Sequence, residues 1–202
     1  MNRGNTLSTS RLARVYEEAL WARRELYRDS EYFKMPEPWK RMCEAGDNWS
    51  IKTYRANEME DYKRKAAVVA FDGRVKLTLD ERLMEKAEQG CMFSNFVLAH
   101  EWGHLLLDHH GKGAVTKNFQ LYSGPGGMLN IPPTLEELET HYAAVFFQCG
   151  IALKSKHLSA LELAMRAYSD PKYVKKAQGI VRLEAFEREL SRPKPKYERV
   201  IL

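Results

Sequence analysis

The chain has 202 residues, 44% of them apolar and 29% charged, and its formal net charge at pH 7 is +5. This composition is that of a soluble globular protein long enough to bury a sizeable core. The charge is mild and is only weak evidence for a nucleic-acid partner, and the sequence has neither a run of membrane-spanning length nor a signal-peptide pattern. We find no internal repeat and no linker. We therefore predict one domain over residues 1–202, with its core in 60–190 and a tail at 192–202.

Three cysteines, Cys43, Cys91 and Cys149, are scattered along the chain, and none belongs to a Cys-x-x-Cys pair. An odd number of isolated cysteines argues against a disulfide framework and favours a reducing compartment. We therefore expect a cytoplasmic protein with three ordinary thiols and no membrane contact.

Residues 7–28 carry apolar side chains at helical spacing, and Ser8 or Ser10 could cap the start of this helix. A basic helix of this kind can lie on nucleic acid. The alternative is a solvated face on which arginines pair with glutamates four residues away, and we favour it. The five arginines concerned are Arg11, Arg14, Arg23, Arg24 and Arg28.

The clearest β signal lies at residues 66–79, where two apolar arms flank Asp72-Gly73. An Asp-Gly pair between two such arms predicts a tight hairpin. A hairpin alone is only marginally stable, so we expect a small antiparallel sheet packed on the apolar helix that follows. The charged residues 80–90 predict a short helix between them.

That apolar helix contains His100-Glu101-x-x-His104. Residues four apart lie on the same face of a helix, so both imidazoles can reach one metal ion. The carboxylate of Glu101 can instead face a water on that metal and accept its proton as general base. The alternative is two surface histidines, but the flanking residues are too apolar for an exposed helix. Buried His and Glu need partners, and a metal ion satisfies both histidines at once.

A catalytic zinc site takes a third protein ligand and keeps one position open. His110 has the spacing used where a glycine turns the chain after the helix, but that position is Leu107 here. His109 lies off the ligand face if the helix continues. The remaining choice is a carboxylate on a later helix, either Glu139 or, one turn earlier, Glu136.

The second half of the chain is predicted to be mostly helical. Residues 114–122 predict an edge strand, and the Gly-rich residues 123–127 are either a flap beside the cleft or an ordinary connection. Thr134 with Glu three residues later forms a capping box that starts the helix carrying Glu139. Ser159 and Asp170 cap two further helices.

The strand-turn-strand, the segment 96–109 with its His-Glu-x-Gly-His core, the Gly-rich gap and the later segment 139–144 occur in this order. The chain thereby resembles the ImmA/IrrE-type metallopeptidase family over roughly residues 66–150. Thr140 and Ala143 depart from the family's usual residues. The resemblance implies an α+β, mostly helical, zincin-like domain with a small sheet on the active-site helix. It also implies Zn²⁺ held by His100, His104 and an acidic residue on the following helix, which Glu139 fits.

Members of this family cleave helix-turn-helix repressors in stress, mobile-element or toxin–antitoxin systems, so the resemblance implies such a repressor or antitoxin as the protein substrate. The catalytic residue is then Glu101. His141, Tyr142 and Tyr122 are candidates to stabilise the oxyanion, and the sequence does not choose among them. Asp108 could orient His104 or could simply end the helix. The alternative function is a non-catalytic, metal-stabilised regulatory module that binds a protein partner or DNA.

Overall fold

A computed structural model describes residues 6–55, 66–108, 117–118 and 134–193. Within these ranges a four-stranded sheet is accompanied by helices along most of the chain, which confirms the α+β class. The strands are β1 (Trp49–Tyr54), β2 (Ala66–Phe71), β3 (Arg74–Asp80) and β4 (Lys117–Asn118). The helices are α1 (Thr9–Leu26), α2 (Pro36–Ala45), α3 (Glu81–Glu88), α4 (Met92–Leu106), α5 (Leu135–Cys149), α6 (Ala160–Ala167), α7 (Pro171–Val181) and α8 (Glu184–Leu190), with a 3₁₀ turn at Gly150–Lys154.

The predicted hairpin is confirmed, and its turn has the conformation that Asp-Gly favours. Asp72 and Gly73 have φ angles of 49° and 70°, and the pair Phe71 and Arg74 closes the turn. Positive φ at both central residues is the mark of a type I′ turn, whose twist matches that of the two strands. The arms β2 and β3 then pair antiparallel along their whole length.

The sheet as a whole is mixed rather than antiparallel, because β1 runs parallel to β3. The strand order is β1-β3-β2-β4, and β2 is antiparallel to both β3 and β4. The chain reverses direction twice between β1 and β3, so these two strands point the same way. We did not predict β1, although Trp49 and Ile51 alternate with polar residues and are half-buried on one face.

Helix α1 begins after Ser8, whose hydroxyl accepts the backbone N–H of Arg11, and its apolar side packs on α5 and α8. The pair Arg14–Glu18, 2.8 Å apart, follows the predicted i,i+4 pattern. Arg23 does not, because its side chain is fully buried and donates to the carbonyls of Phe147 and Gln148 at 2.7 and 2.9 Å. The interpretation of all five arginines as a solvated face is therefore wrong for Arg23.

The buried apolar residues of the described chain form one core, in which α4 lies between β2 on one side and α5 on the other. The predicted caps at Ser159 and Asp170 are confirmed, the first with a complete capping box. Among the described residues no helix is both long and apolar enough to cross a bilayer. The predicted tail, apart from its first two residues, and the Gly-rich segment 123–127 lie outside the described residues.

Candidate metal centre

Helix α4 carries the two histidines of the His-Glu-x-x-His sequence in the interior of the protein. His100 is fully buried and His104 is 1% exposed, as the apolar character of their neighbours predicts. Their Nε2 atoms approach within 3.1 Å, and the two rings are nearly perpendicular. Four-residue spacing on one helix therefore brings the two Nε2 atoms together, as the sequence predicts.

The third group beside the imidazoles is Glu137, on the first turn of α5. Its Oε2 lies 3.1 Å from the Nε2 of His100, and its Oε1 lies 3.7 Å from the Nε2 of His104. One donor atom from each of the three residues falls within 4.8 Å of the others. His100, His104 and Glu137 are thus the side chains that the described structure gathers into a potential metal-binding group.

These separations can be compared with what a zinc ion requires. Donors placed about 2.0–2.2 Å from a tetrahedral zinc ion lie roughly 3.3–3.6 Å from one another. The two Nε2 atoms are 3.1 Å apart, and they lie 3.1 and 3.7 Å from the two different carboxylate oxygens of Glu137, which is close to this range. Two nitrogens and one carboxylate are also a donor set that catalytic zinc sites use, so the residues fit this ion.

The structure places Glu139 elsewhere, although we predicted it as the third ligand. Both of its carboxylate oxygens accept hydrogen bonds from the guanidinium of Arg11 on α1, at 2.6 and 2.5 Å. Positions two apart on a helix point about 200° away from each other. Because Glu137 faces α4, Glu139 must face α1, and one helix cannot direct both carboxylates at the same ion.

The reserve ligand Glu136 lies nearer to the site than Glu139 but on the other nitrogen of His104. Its Oε1 is 3.9 Å from Nδ1, whereas the atom of this ring that faces His100 and Glu137 is Nε2. Glu136 therefore lies behind His104 and not among the three converging donors. The structure favours Glu137 over both carboxylates that the sequence suggested.

Glu101, the predicted general base, is completely buried between α4 and the sheet. Its Oε2 accepts the backbone N–H of Val68 on β2 at 2.9 Å. Burial raises the pKa of Glu101 well above its ordinary value, the Val68 N–H opposes this shift, and the negative charge of Glu137 adds to it. The other oxygen, Oε1, has no hydrogen-bond partner among the described residues. The sheet thus fixes one carboxylate oxygen of Glu101, and no described residue forms a hydrogen bond with the other.

His141 and Tyr142, two of the three candidates for stabilising an oxyanion, lie in the aromatic packing beside the site. His141 stacks on Tyr173 at a centroid distance of 4.6 Å and lies 4.8 Å from the ring of His100. Burial lowers the pKa of His141 to about 4. Tyr142 is half-buried, and its ring is 5.9 Å from that of Phe146. His141 is therefore in contact with His100, whereas the ring contacts of Tyr142 are with Phe146 and Tyr173, and neither set of contacts assigns a role in stabilising an oxyanion.

Asp108 follows the end of α4, is exposed, and has a φ of 51°. We expected the four-residue helical spacing to bring its carboxylate to His104. Because α4 ends at Leu106, Asp108 is not in the helix and this spacing does not apply. It is Thr140 on α5 that lies beside His104, with its Oγ1 3.4 Å from Nδ1. The remaining candidates, Tyr122 and the alternative ligands His109 and His110, lie outside the described residues.

Sequence reasoning missed Glu137 because its position had another explanation. It stands three residues after Thr134, whose hydroxyl does accept the Glu137 N–H at 3.2 Å, so the backbone half of the predicted capping box is confirmed. The carboxylate is placed beside His100. Positions three apart share a helix face, so Glu137 lies on the same face as Thr140, which contacts His104 on α4. This shared face was the signal that Glu137 points towards the histidines.

Comparison of the chain with family models, with curated proteins and with solved structures found no match.

Proposed function

We propose that the protein is a zinc-dependent endopeptidase in which His100, His104 and Glu137 hold the ion and Glu101 is the general base. The observation that carries this proposal is the convergence of two imidazole nitrogens and one carboxylate, with the buried carboxylate of Glu101 directly following His100 on the same helix. Bound zinc would supply Lewis-acid chemistry, polarising the scissile carbonyl and lowering the pKa of a water to about 7.

The chain's own contribution is to hold and move a proton at Glu101. The carboxylate accepts the proton of the attacking water and returns it to the amine that leaves when the peptide bond breaks. In the metal-free protein burial raises the pKa of Glu101, and the positive charge of a bound zinc ion would lower it again and favour the carboxylate form that accepts a proton. The Val68 N–H fixes one oxygen, so the carboxylate needs little reorientation during the reaction.

We further propose that the substrate is a helix-turn-helix repressor or antitoxin, and that cleavage relieves repression in the cytoplasm. The sequence resemblance to ImmA/IrrE-type peptidases supports the substrate class. The absence of disulfides among Cys43, Cys91 and Cys149 supports a reducing compartment.

The test compares the zinc-loaded wild-type protein with Glu101→Gln. Each is incubated with a peptide library from a bacterial proteome and with the helix-turn-helix protein encoded nearest to its gene, and new N-termini are identified by mass spectrometry. We expect Glu101→Gln to keep its zinc and its fold while cleavage falls about 10²–10⁴-fold, the usual worth of a general base. Glu85→Gln, at an exposed position on α3, is the matched control and should cleave like the wild type. Undiminished cleavage by Glu101→Gln would refute the assignment of the base.

A second candidate function is a metal-stabilised module that binds a partner protein or DNA without catalysis. The hydrogen bond from Val68 to Glu101 favours it, because a carboxylate that joins a helix to a sheet has a structural use of its own. Under this function zinc raises the melting temperature, but wild-type protein releases no fragment from any substrate. A DNA-binding version would also show retention on duplex DNA that weakens steeply with salt.

A further inference from the structure

Thr140 lies at the contact between the two helices that build the site. Its side chain is fully buried on α5, and its Oγ1 is 3.4 Å from the Nδ1 of His104 on α4. The same oxygen is 2.9 Å from the carbonyl oxygen of Glu136, one turn earlier on α5. The hydroxyl therefore stands between a backbone carbonyl and the imidazole nitrogen that faces away from Glu137.

The protons of this arrangement can be assigned from the chemistry of the groups. A carbonyl oxygen can only accept, so the single hydroxyl proton of Thr140 is donated to the backbone carbonyl oxygen of Glu136. The oxygen then presents a lone pair to Nδ1 of His104, which bonds to it when that nitrogen carries a proton, and the Glu136 carboxylate 3.9 Å from the same nitrogen favours the same protonation. A neutral imidazole has one N–H, so the Nε2 of His104 is left with its lone pair directed at His100 and Glu137.

The close packing of the two helices holds the hydroxyl in this place. A Cβ added at Gly103 would lie 3.0 Å from both the Cγ2 and the backbone oxygen of Thr140, so any larger residue would separate α4 from α5. Thr140 is also β-branched, which restricts its side chain to few rotamers in a helix. The position of the oxygen is therefore set by the contact between backbones and not by a flexible side chain.

We propose that Thr140 is a positioning residue that holds His104 in its Nδ1–H tautomer and so directs the Nε2 lone pair at the metal. This inference rests on the proposed metal site but not on peptide cleavage. Partners of this kind behind a metal-binding histidine typically change metal affinity about 10–100-fold when they are removed. The competing explanation is that the hydroxyl only bonds its own helix, as Thr often does at the i−4 carbonyl.

The experiment compares the wild type with Thr140→Val, which keeps the branched shape and loses the hydroxyl, and with Thr140→Ser, which keeps the hydroxyl. Two readouts are taken: the tautomer of His104 in the metal-free protein at pH 8.5, from its ¹⁵N shifts, and the affinity for Zn²⁺, from competition with a chelator. We expect Thr140→Val to lose the Nδ1–H preference and to bind Zn²⁺ about 10–100-fold more weakly. Thr140→Ser should stay within about threefold of the wild type, because it keeps the acceptor.

Thr140→Ala is a second variant without the hydroxyl, to be used if Thr140→Val does not fold. The inference is overturned if the variants without the hydroxyl keep the tautomer of the wild type, or if Thr140→Ser loses it as they do. A protein that shows the expected tautomers and Zn²⁺ affinities yet cuts no peptide would refute the endopeptidase and leave the role of Thr140 intact. A wild type that binds no Zn²⁺ would refute the metal site, and the tautomer alone would then decide what Thr140 does to His104.

Discussion

Glu137 and Glu139 are chemically identical, stand two residues apart, and have different uses in this protein. Glu137 lies 3.1 Å from the Nε2 of His100, while Glu139 forms a two-pronged ion pair with Arg11. The helical rotation between them decides which neighbour each one meets. For these two residues, the contacts of the side chain are therefore determined by the element that it faces and not by its chemical type.

Tyr16 is a residue whose burial has a measurable consequence at high pH. Its ring packs edge-on against Phe146 and Phe186, and its hydroxyl has no hydrogen-bond partner among the described residues. Burial raises the pKa of Tyr16 from 10.0 to about 12. Below pH 10 the tyrosine is neutral in both states and its contribution is constant. As the pH rises from 10 towards 12, the unfolded chain ionises first, so the folded state loses stability.

We therefore predict that Tyr16→Phe removes part of the alkaline loss of stability. The free energy of unfolding of the wild type minus that of Tyr16→Phe should fall between pH 9 and pH 11.5, as measured by urea denaturation. The other groups that titrate in this range, such as Cys149, are present in both proteins and cancel in the difference. Parallel pH profiles for the two proteins would contradict the burial of this hydroxyl.

At the scale of elements, α5 is held at both ends by side chains from other parts of the chain. Its first turn meets α4 through Glu137, and its last carbonyls, those of Phe147 and Gln148, accept from the buried guanidinium of Arg23. A third carbonyl, that of Glu31, accepts from the same group. Arg23 thus satisfies the end of a buried helix that would otherwise leave carbonyl groups without partners.

We predict that Arg23→Lys lowers the free energy of unfolding by about 2–4 kcal/mol, because an ammonium group cannot reach three carbonyls arranged for a planar fork. Arg24→Lys is the control, since Arg24 is more than half exposed and bonds only Asp29 among the described contacts. That variant should remain within about 0.5 kcal/mol of the wild type by chemical denaturation. Equal effects of the two substitutions would show that Arg23 does not cap α5.

Gly103 sets the distance between α4 and α5, and thereby the geometry of the site. We predict that Gly103→Ala destabilises the protein by about 1–3 kcal/mol, the usual range for an overpacked contact, and also weakens Zn²⁺ binding. The obstacle includes the backbone oxygen of Thr140, 3.0 Å from the added Cβ, which cannot rotate away.

Gly179→Ala is the matched control for Gly103→Ala. Gly179 also lies in a helix, α7, but nothing is within 4 Å of its added Cβ. There the substitution should stabilise the protein by about 0.5–1 kcal/mol through helix propensity alone. A melting temperature for Gly103→Ala at or above that of the wild type would contradict the close approach.

At the scale of the whole molecule, the features predicted correctly are those that short-range physics determines. Asp72-Gly73 selects its turn, Ser8 and Ser159 cap their own helices, and the spacing of His100 and His104 needs only one helix. Each depends on residues at most four positions apart.

The features that sequence reasoning missed depend on contacts between distant elements. The burial of Arg23 depends on α5, more than a hundred residues later, and the use of Glu137 depends on how α5 rotates against α4. The capping pattern around Thr134 explained a glutamate at position 137 without any reference to a metal. Strand β1 was missed because its parallel partner, β3, is separated from it by another strand in the chain.

Glu101 connects α4 to the sheet, so the geometry of the site depends on how α4 packs against both β2 and α5. The side chain leaves α4 and accepts a hydrogen bond from β2, while the two neighbouring imidazoles face α5. In the proposed function Glu101 acts as a base on a water held by the metal ion. The proposed function is therefore tested most directly by determining which residue is the third metal ligand.

The most direct measurement is the Zn²⁺ affinity and stoichiometry of the wild type, Glu137→Gln and Glu139→Gln, by chelator competition and elemental analysis. We predict one Zn²⁺ per wild-type chain, a loss of affinity of at least about 100-fold in Glu137→Gln, and affinity within about threefold of the wild type in Glu139→Gln. Strong binding by Glu137→Gln together with loss of zinc in Glu139→Gln, or no zinc in the wild type, would contradict the account.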